Sequence, residues 1–227
     1  MRYDLGVTRA GSLPALLPAL ILTAAVGLPA FERTLTPDTV AEAIGLGQSR
    51  IDDVRTRFHS PYRVAVGQPP VDFVEVVTPF RRVALDAEAH AAAGGRLYGQ
   101  REALLLLGDD PTRIDFIVEL TFHPMNTYLG IPDYAVTLAP AASATAVRQP
   151  KTIARIPRFG PRVAGSTPQY PVVPTPGVRN GSQPLLGSSI VATFDGQAIE
   201  ERMAYILTIA ENGKELARSR IDFSALR

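Results

Sequence analysis

From Ala10 to Ala30 the chain carries no charged side chain, a run of 21 residues rich in Leu and Ala. A stretch this apolar does not form the surface of a soluble domain, so the first thirty residues stand apart from whatever folds after them. Arg2 and Arg9 precede the run with Asp4 between them, and polar sequence resumes at Phe31-Glu32-Arg33. A basic start, an apolar middle and small Ala30 at its edge make the pattern of a secretory signal peptide, with Thr23-Ala24-Ala25 as a second acceptable cleavage site. Left uncleaved, the run would just span a bilayer. Pro14 and Pro18 weigh against that, because each removes a backbone donor from a helix that has to satisfy its own hydrogen bonds in lipid. The expectation is a signal peptide over 1–30, a single domain over 31–227 and a secreted or periplasmic location. A membrane anchor at 10–30 is the alternative.

The chain has no cysteine. That rules out disulfides, thiolate metal sites, iron–sulfur clusters, a cysteine nucleophile and a lipidated cysteine, so the fold has to be stabilised by its core. Lys151 and Lys214 are the only lysines among 23 basic residues, an arginine bias that reads as the mark of a GC-rich bacterial genome. A net charge of +1 sets up no strong field for nucleic acid.

Thr36-Pro37-Asp38 opens a helix with a hydroxyl cap, a proline at the first position and an acid at the positive end of the dipole. Its apolar stripe runs from Val40 through Ile44, Ile51 and Val54 to Phe58, with Gly45 and Gly47 as breakpoints. Thr78-Pro79 repeats the signature for a second helix, closed by Gly94-Gly95. On that helix Arg82, Asp86 and His90 are spaced as a surface ion-pair ladder. Leu104 to Leu107 is too short to assign by period.

Strand patterns cover Tyr62–Val66, Val71–Val77, Ile114–Thr121, Tyr134–Leu138, Ile190–Phe194, Met203–Ile209 and Glu215–Phe223. Ile114, Phe116, Val118 and Leu120 put one face of their strand on a core, and Asn212-Gly213 predicts a type I′ hairpin. The expected fold is α+β, mostly antiparallel and sandwich-like, with about seven short strands and two helices in the N-terminal half. Residues 140–189 differ: they are rich in proline, and no acid occurs between Asp133 and Asp195. This reads as a long basic loop.

Arg148, Lys151, Arg155, Arg158 and Arg162 recur every three or four residues, but Pro150, Pro157 and Pro161 forbid the helix that would align them. An extended cationic segment remains, suited to a protein's acidic face or an anionic envelope component, or simply a solvated loop that aids solubility. His59, His90 and His123 are the only histidines. None has metal-site spacing, and no metal, cofactor or nucleic-acid partner is expected. His59 and His123 sit at the ends of predicted elements, where catalytic groups often lie. Asp52-Asp53, Asp109-Asp110 and Glu200-Glu201 are neighbours whose side chains diverge, which does not make an acid–base couple. No nucleophile elbow, phosphate loop or dinucleotide fingerprint occurs. The sequence therefore reads as an exported, non-catalytic binding or structural protein without stable membrane insertion after cleavage. The alternative is a secreted or periplasmic hydrolase using His59 or His123 with a carboxylate.

Overall fold

A computed structural model describes residues 31–94, 98–123, 125–126, 128–143, 146–160 and 185–227. The predicted signal peptide and residues 161–184 of the proline-rich segment, Arg162 among them, lie outside the described residues. The chain is α+β, with eight strands in two antiparallel sheets and four α-helices among the described residues. Strands β1 (Arg63–Gln68), β2 (Val71–Val77), β3 (Ile114–Thr121), β5 (Thr152–Phe159) and β6 (Leu185–Phe194) form one sheet in the order β1-β2-β3-β6-β5. The second sheet is β4 (Tyr134–Pro140), β7 (Ala204–Glu211) and β8 (Lys214–Asp222), in the order β4-β7-β8. Asn212 and Gly213, both at positive φ (49° and 80°), make the turn between β7 and β8, as the Asn-Gly pair predicts.

Both sheets feed one core. Val74, Phe116, Val118, Leu120 and Ile190 from the larger sheet meet Val136, Leu138, Leu207, Ile209 and Ile221 from the smaller, joined by Phe31, Tyr62 and Phe223. β3 departs from the sequence expectation of one buried face: Asp115, Ile117 and Glu119, on the face turned away from this core, are buried as well. Its central place in the sheet gives every residue a neighbour on either side.

The helices build a second, smaller core. The predicted stripe from Val40 to Phe58 is two helices, α1 (Pro37–Gly47) and α2 (Asp52–His59). Thr36 caps the first as expected, its hydroxyl accepting from the Thr39 amide at 3.2 Å. Helix α3 (Pro79–Ala92) is inserted between β2 and β3, and α4 (Gln100–Leu107) resolves the unassigned leucine run. Val40, Ala43 and Ile44 pack on Phe80, Val83, Ala84 and Ala87. Among the described residues, four helices and eight strands thus replace the expected two and seven. Among the described residues no helix is long and apolar enough to cross a membrane.

Gly47 sets the closeness of α1 to α3, because a β-carbon there would lie 2.1 Å from the Ala84 carbonyl oxygen and 2.9 Å from the Ala87 β-carbon. Backbone cannot yield as a flexible side-chain tip does, so Gly47→Ala should destabilise the fold by about 1–3 kcal/mol. Urea denaturation of the two proteins checks this, and an unchanged midpoint would show that the helices separate freely.

Candidate functional sites

His59 ends α2 and lies over the start of α3, where burial and ion pairing converge. Its Nε2 is 3.1 Å from Glu88 Oε2, and its Nδ1 accepts from Arg81 Nε at 3.4 Å. Arg81 continues the chain to Glu75 (2.7 Å) and to the Val76 carbonyl (2.6 Å), while Arg55 meets Glu88 from the other side at 3.1 Å. Burial holds the His59 pKa below its ordinary value, helped by the Arg81 charge and opposed by Glu88. The ring is therefore neutral at neutral pH, with its proton on Nε2 facing Glu88 and its lone pair on Nδ1 taken by Arg81. A general base needs that lone pair free for substrate. Beside this network Gln48, Ser49, Arg50, Arg55 and Glu88 line an open groove of about 550 Å³ between the end of α1 and the end of α3.

His123 lies elsewhere. Val77 pairs with Asp115 and Val71 with Leu120, so His59, beside the Val76 end of β2, and His123, following β3, occupy opposite ends of the large sheet. His123 Nδ1 accepts from the Met125 amide at 3.2 Å, a local loop contact. The expected ladder on α3 is also divided. His90 stays with Asp86 at the surface, whereas Arg82 is buried and reaches Asp115 (3.5 Å) and the Arg113 carbonyl (2.6 Å). Among the described residues no group of three His, Cys, Asp or Glu side chains is placed to hold a metal.

Among the predicted cationic residues that are described, Arg155 and Arg158 do not share one face. Arg155 pairs in register with Ile190, a residue of the core, and Arg158 with Gly187, so the two project to opposite faces of β5. Arg155 meets Asp133, Lys151 meets Asp110 at 3.1 Å, and Arg158 meets the buried Glu119 at 3.1 Å. Arg148 joins β4 by an isolated bridge to Leu138. The strand itself was hidden by its prolines: Pro157 is tolerated because β5 is an edge strand.

Glu119 centres a polar cluster on the outward face of the large sheet. Ser189 on β6 donates to it, Arg158 pairs with it from β5, and Thr121 donates to Asp72 at 2.6 Å. Burial raises the Glu119 pKa above its ordinary 4.5, the Ser189 hydroxyl and Arg158 oppose this, and the Glu75 and Asp72 charges add to the rise. A carboxyl whose folded-state pKa is raised stabilises the fold below its ordinary pKa and loses that contribution as pH rises through its folded-state pKa. Glu119→Gln should therefore gain stability relative to the wild type between pH 4.5, the ordinary pKa, and neutrality. Urea midpoints at both pH values test this, and a stability difference that does not change with pH would contradict it.

One loop exposes apolar side chains. Between β3 and β4, residues 122–132 contain no Asp, Glu, Lys or Arg. Tyr128 sets its ring against buried Phe122 at 5.0 Å, and Asn126 Nδ2 donates to the carbonyls of His123 (2.8 Å) and Leu185 (2.9 Å), which fixes the loop at its base. Above that base Met125 is 83% exposed and Leu129 107%; Phe159, paired in register with Leu185, is 59% exposed. Helix and strand patterns pass over this loop, although an uncharged run holding Met125, Tyr128 and Leu129 is the signal that finds it.

Compared with known proteins, the chain matches no family model, no curated protein sequence and no solved structure.

Proposed function

We propose that the chain is an exported, non-catalytic binding or structural protein of the bacterial cell envelope or medium, built on a sandwich-like pair of sheets. The observation that carries the binding half of this reading is the loop that exposes Met125, Tyr128 and Leu129, a run without Asp, Glu, Lys or Arg. Patches of this kind on soluble proteins mark interaction surfaces. Export is supported by the uncharged run at 10–30 and the polar sequence that follows it. The runner-up, a secreted hydrolase using His59 or His123 with a carboxylate, draws on the His59–Glu88 contact. Against it stands the ring geometry, in which both nitrogens of His59 already have partners.

A fusion of residues 1–40 to a phosphatase that matures only outside the cytoplasm tests export. Phosphatase activity in intact cells is expected. An inactive fusion that accumulates in the cytosol would overturn the reading.

A further inference from the structure

Helix α2 is held to the rest of the fold by charge more than by packing. None of its eight residues is buried, and Ile51 and Val54 at its start are exposed. Phe58 sets its ring against Tyr62 (5.2 Å) and Phe80 (5.7 Å). The polar anchors converge on Glu88 of α3, which Arg55 and His59 each reach at 3.1 Å.

The neutral His59 ring suits both of its neighbours, donating from Nε2 to Glu88 and accepting at Nδ1 from Arg81. A second proton can go only to Nδ1, where it meets the Arg81 N–H. Arg81 has no room to turn aside, because its guanidinium is buried and tied to Glu75 at 2.7 Å and to the Val76 carbonyl at 2.6 Å. The ring therefore has to leave, and α2 goes with it, since His59 is its last residue. Every element packed around the ring contributes to its charge environment: Arg55 from α2 itself, Arg81 and Glu88 from α3, Glu75 from β2, and the Tyr62 phenol, which burial keeps protonated. On α1, Glu42 is taken by Arg227. Burial and the Arg81 charge oppose the second proton more strongly than Glu88 and Glu75 favour it, which holds the docked ring below its ordinary 6.5. Docking is therefore fully favoured above pH 6.5 and loses that support as pH falls through the lower value of the docked ring.

We propose that α2 is an acid-released latch: a second proton on His59 undocks it from α3 and widens the groove lined by Gln48, Ser49, Arg55 and Glu88. The opening uncovers the Phe58 and Phe80 rings and leaves the core between the sheets in place.

Amide hydrogen exchange on the purified protein, corrected for the chemical exchange rate at each pH, tests this between about pH 7.5 and about pH 5, the range in which histidine changes charge. Protection of residues 52–59 should fall about tenfold, one proton allowing at most about tenfold per pH unit, while β3 keeps its protection. In His59→Asn, whose side chain takes up no proton, α2 should be equally protected at both values, and in His90→Asn it should respond as the wild type does. Should His59→Asn leave α2 unprotected throughout, the unaltered protein decides: the loss of α2 protection has to level off at the pH where the His59 ring signals titrate. Protection of α2 that ignores pH, falls together with that of β3, or falls equally in His59→Asn would overturn the latch. Each outcome is independent of export, which the phosphatase reporter tests separately.

Discussion

Phe223→Ala is expected to cost about 3–5 kcal/mol, the range for deleting a buried aromatic ring. Phe223 has no exposed surface and closes the end of the shared core after β8. Its ring meets Phe31 at 5.2 Å, Tyr205 at 5.6 Å and Phe116 at 6.5 Å, so one side chain joins the start of the described chain, both sheets and the C-terminal turn. Asp222 fixes the turn that aims it, its carboxylate accepting from the Ser224 amide at 3.0 Å. Rings packed on three sides leave no route for the cavity to collapse. Urea denaturation checks the value, and a loss below about 1 kcal/mol would mean that the two sheets do not share the core described.

Arg81→Ala is expected to cost a similar amount, about 3–5 kcal/mol, because it breaks a buried ion pair by removing one partner. The guanidinium is 3% exposed and Glu75 14%. Without Arg81, Glu75 loses its ion-pair partner in a poorly hydrated place, the Val76 carbonyl loses a donor, and the Tyr62 ring loses the cation 4.9 Å from its centre. A second readout separates this network from general loss of packing. Arg81 helps to hold the His59 pKa down, so in the variant the His59 ring signals should titrate at higher pH, with burial preventing full return to the ordinary value. Unchanged stability together with an unchanged His59 titration would remove the network from the account.

Much of the fold was legible because its signals are local. Thr36 and Thr78 cap helices where a hydroxyl followed by proline predicts them, and the alternation from Ile114 to Leu120 marks the central strand. What failed to show was what depends on distant partners. The break between α1 and α2 was marked by Gly45 and Gly47, but that Gly47 is also held to a glycine by the close approach of α3 could not be read from the sequence. β5 was masked by Pro150 and Pro157, whose cost is small at an edge.

The candidate sites follow the same division. Basic residues at spacings of three and four suggested one cationic surface, but a strand sends Arg155 and Arg158 to opposite faces, and the acids that meet them, Asp133 and Glu119, come from outside the segment. A clue to the buried network was present in Arg81 and Arg82. Cations in the first turn of a helix oppose its dipole, and two together at the start of α3 imply acceptors elsewhere, which are Glu75, Val76, Asp115 and Arg113. The apolar loop needed only its composition to be noticed, but that Met125 and Leu129 stand clear of the core is a fact of three dimensions.

The central claim is that this chain works outside the cytoplasm after losing its N-terminal segment, and the N-terminal sequence and intact mass of the protein recovered from its own cells test it most directly. The account predicts a chain beginning near Phe31, or near Val26 if the upstream site is cut, in the soluble envelope fraction or the medium. A chain beginning at Met1 in the cytosol would contradict it.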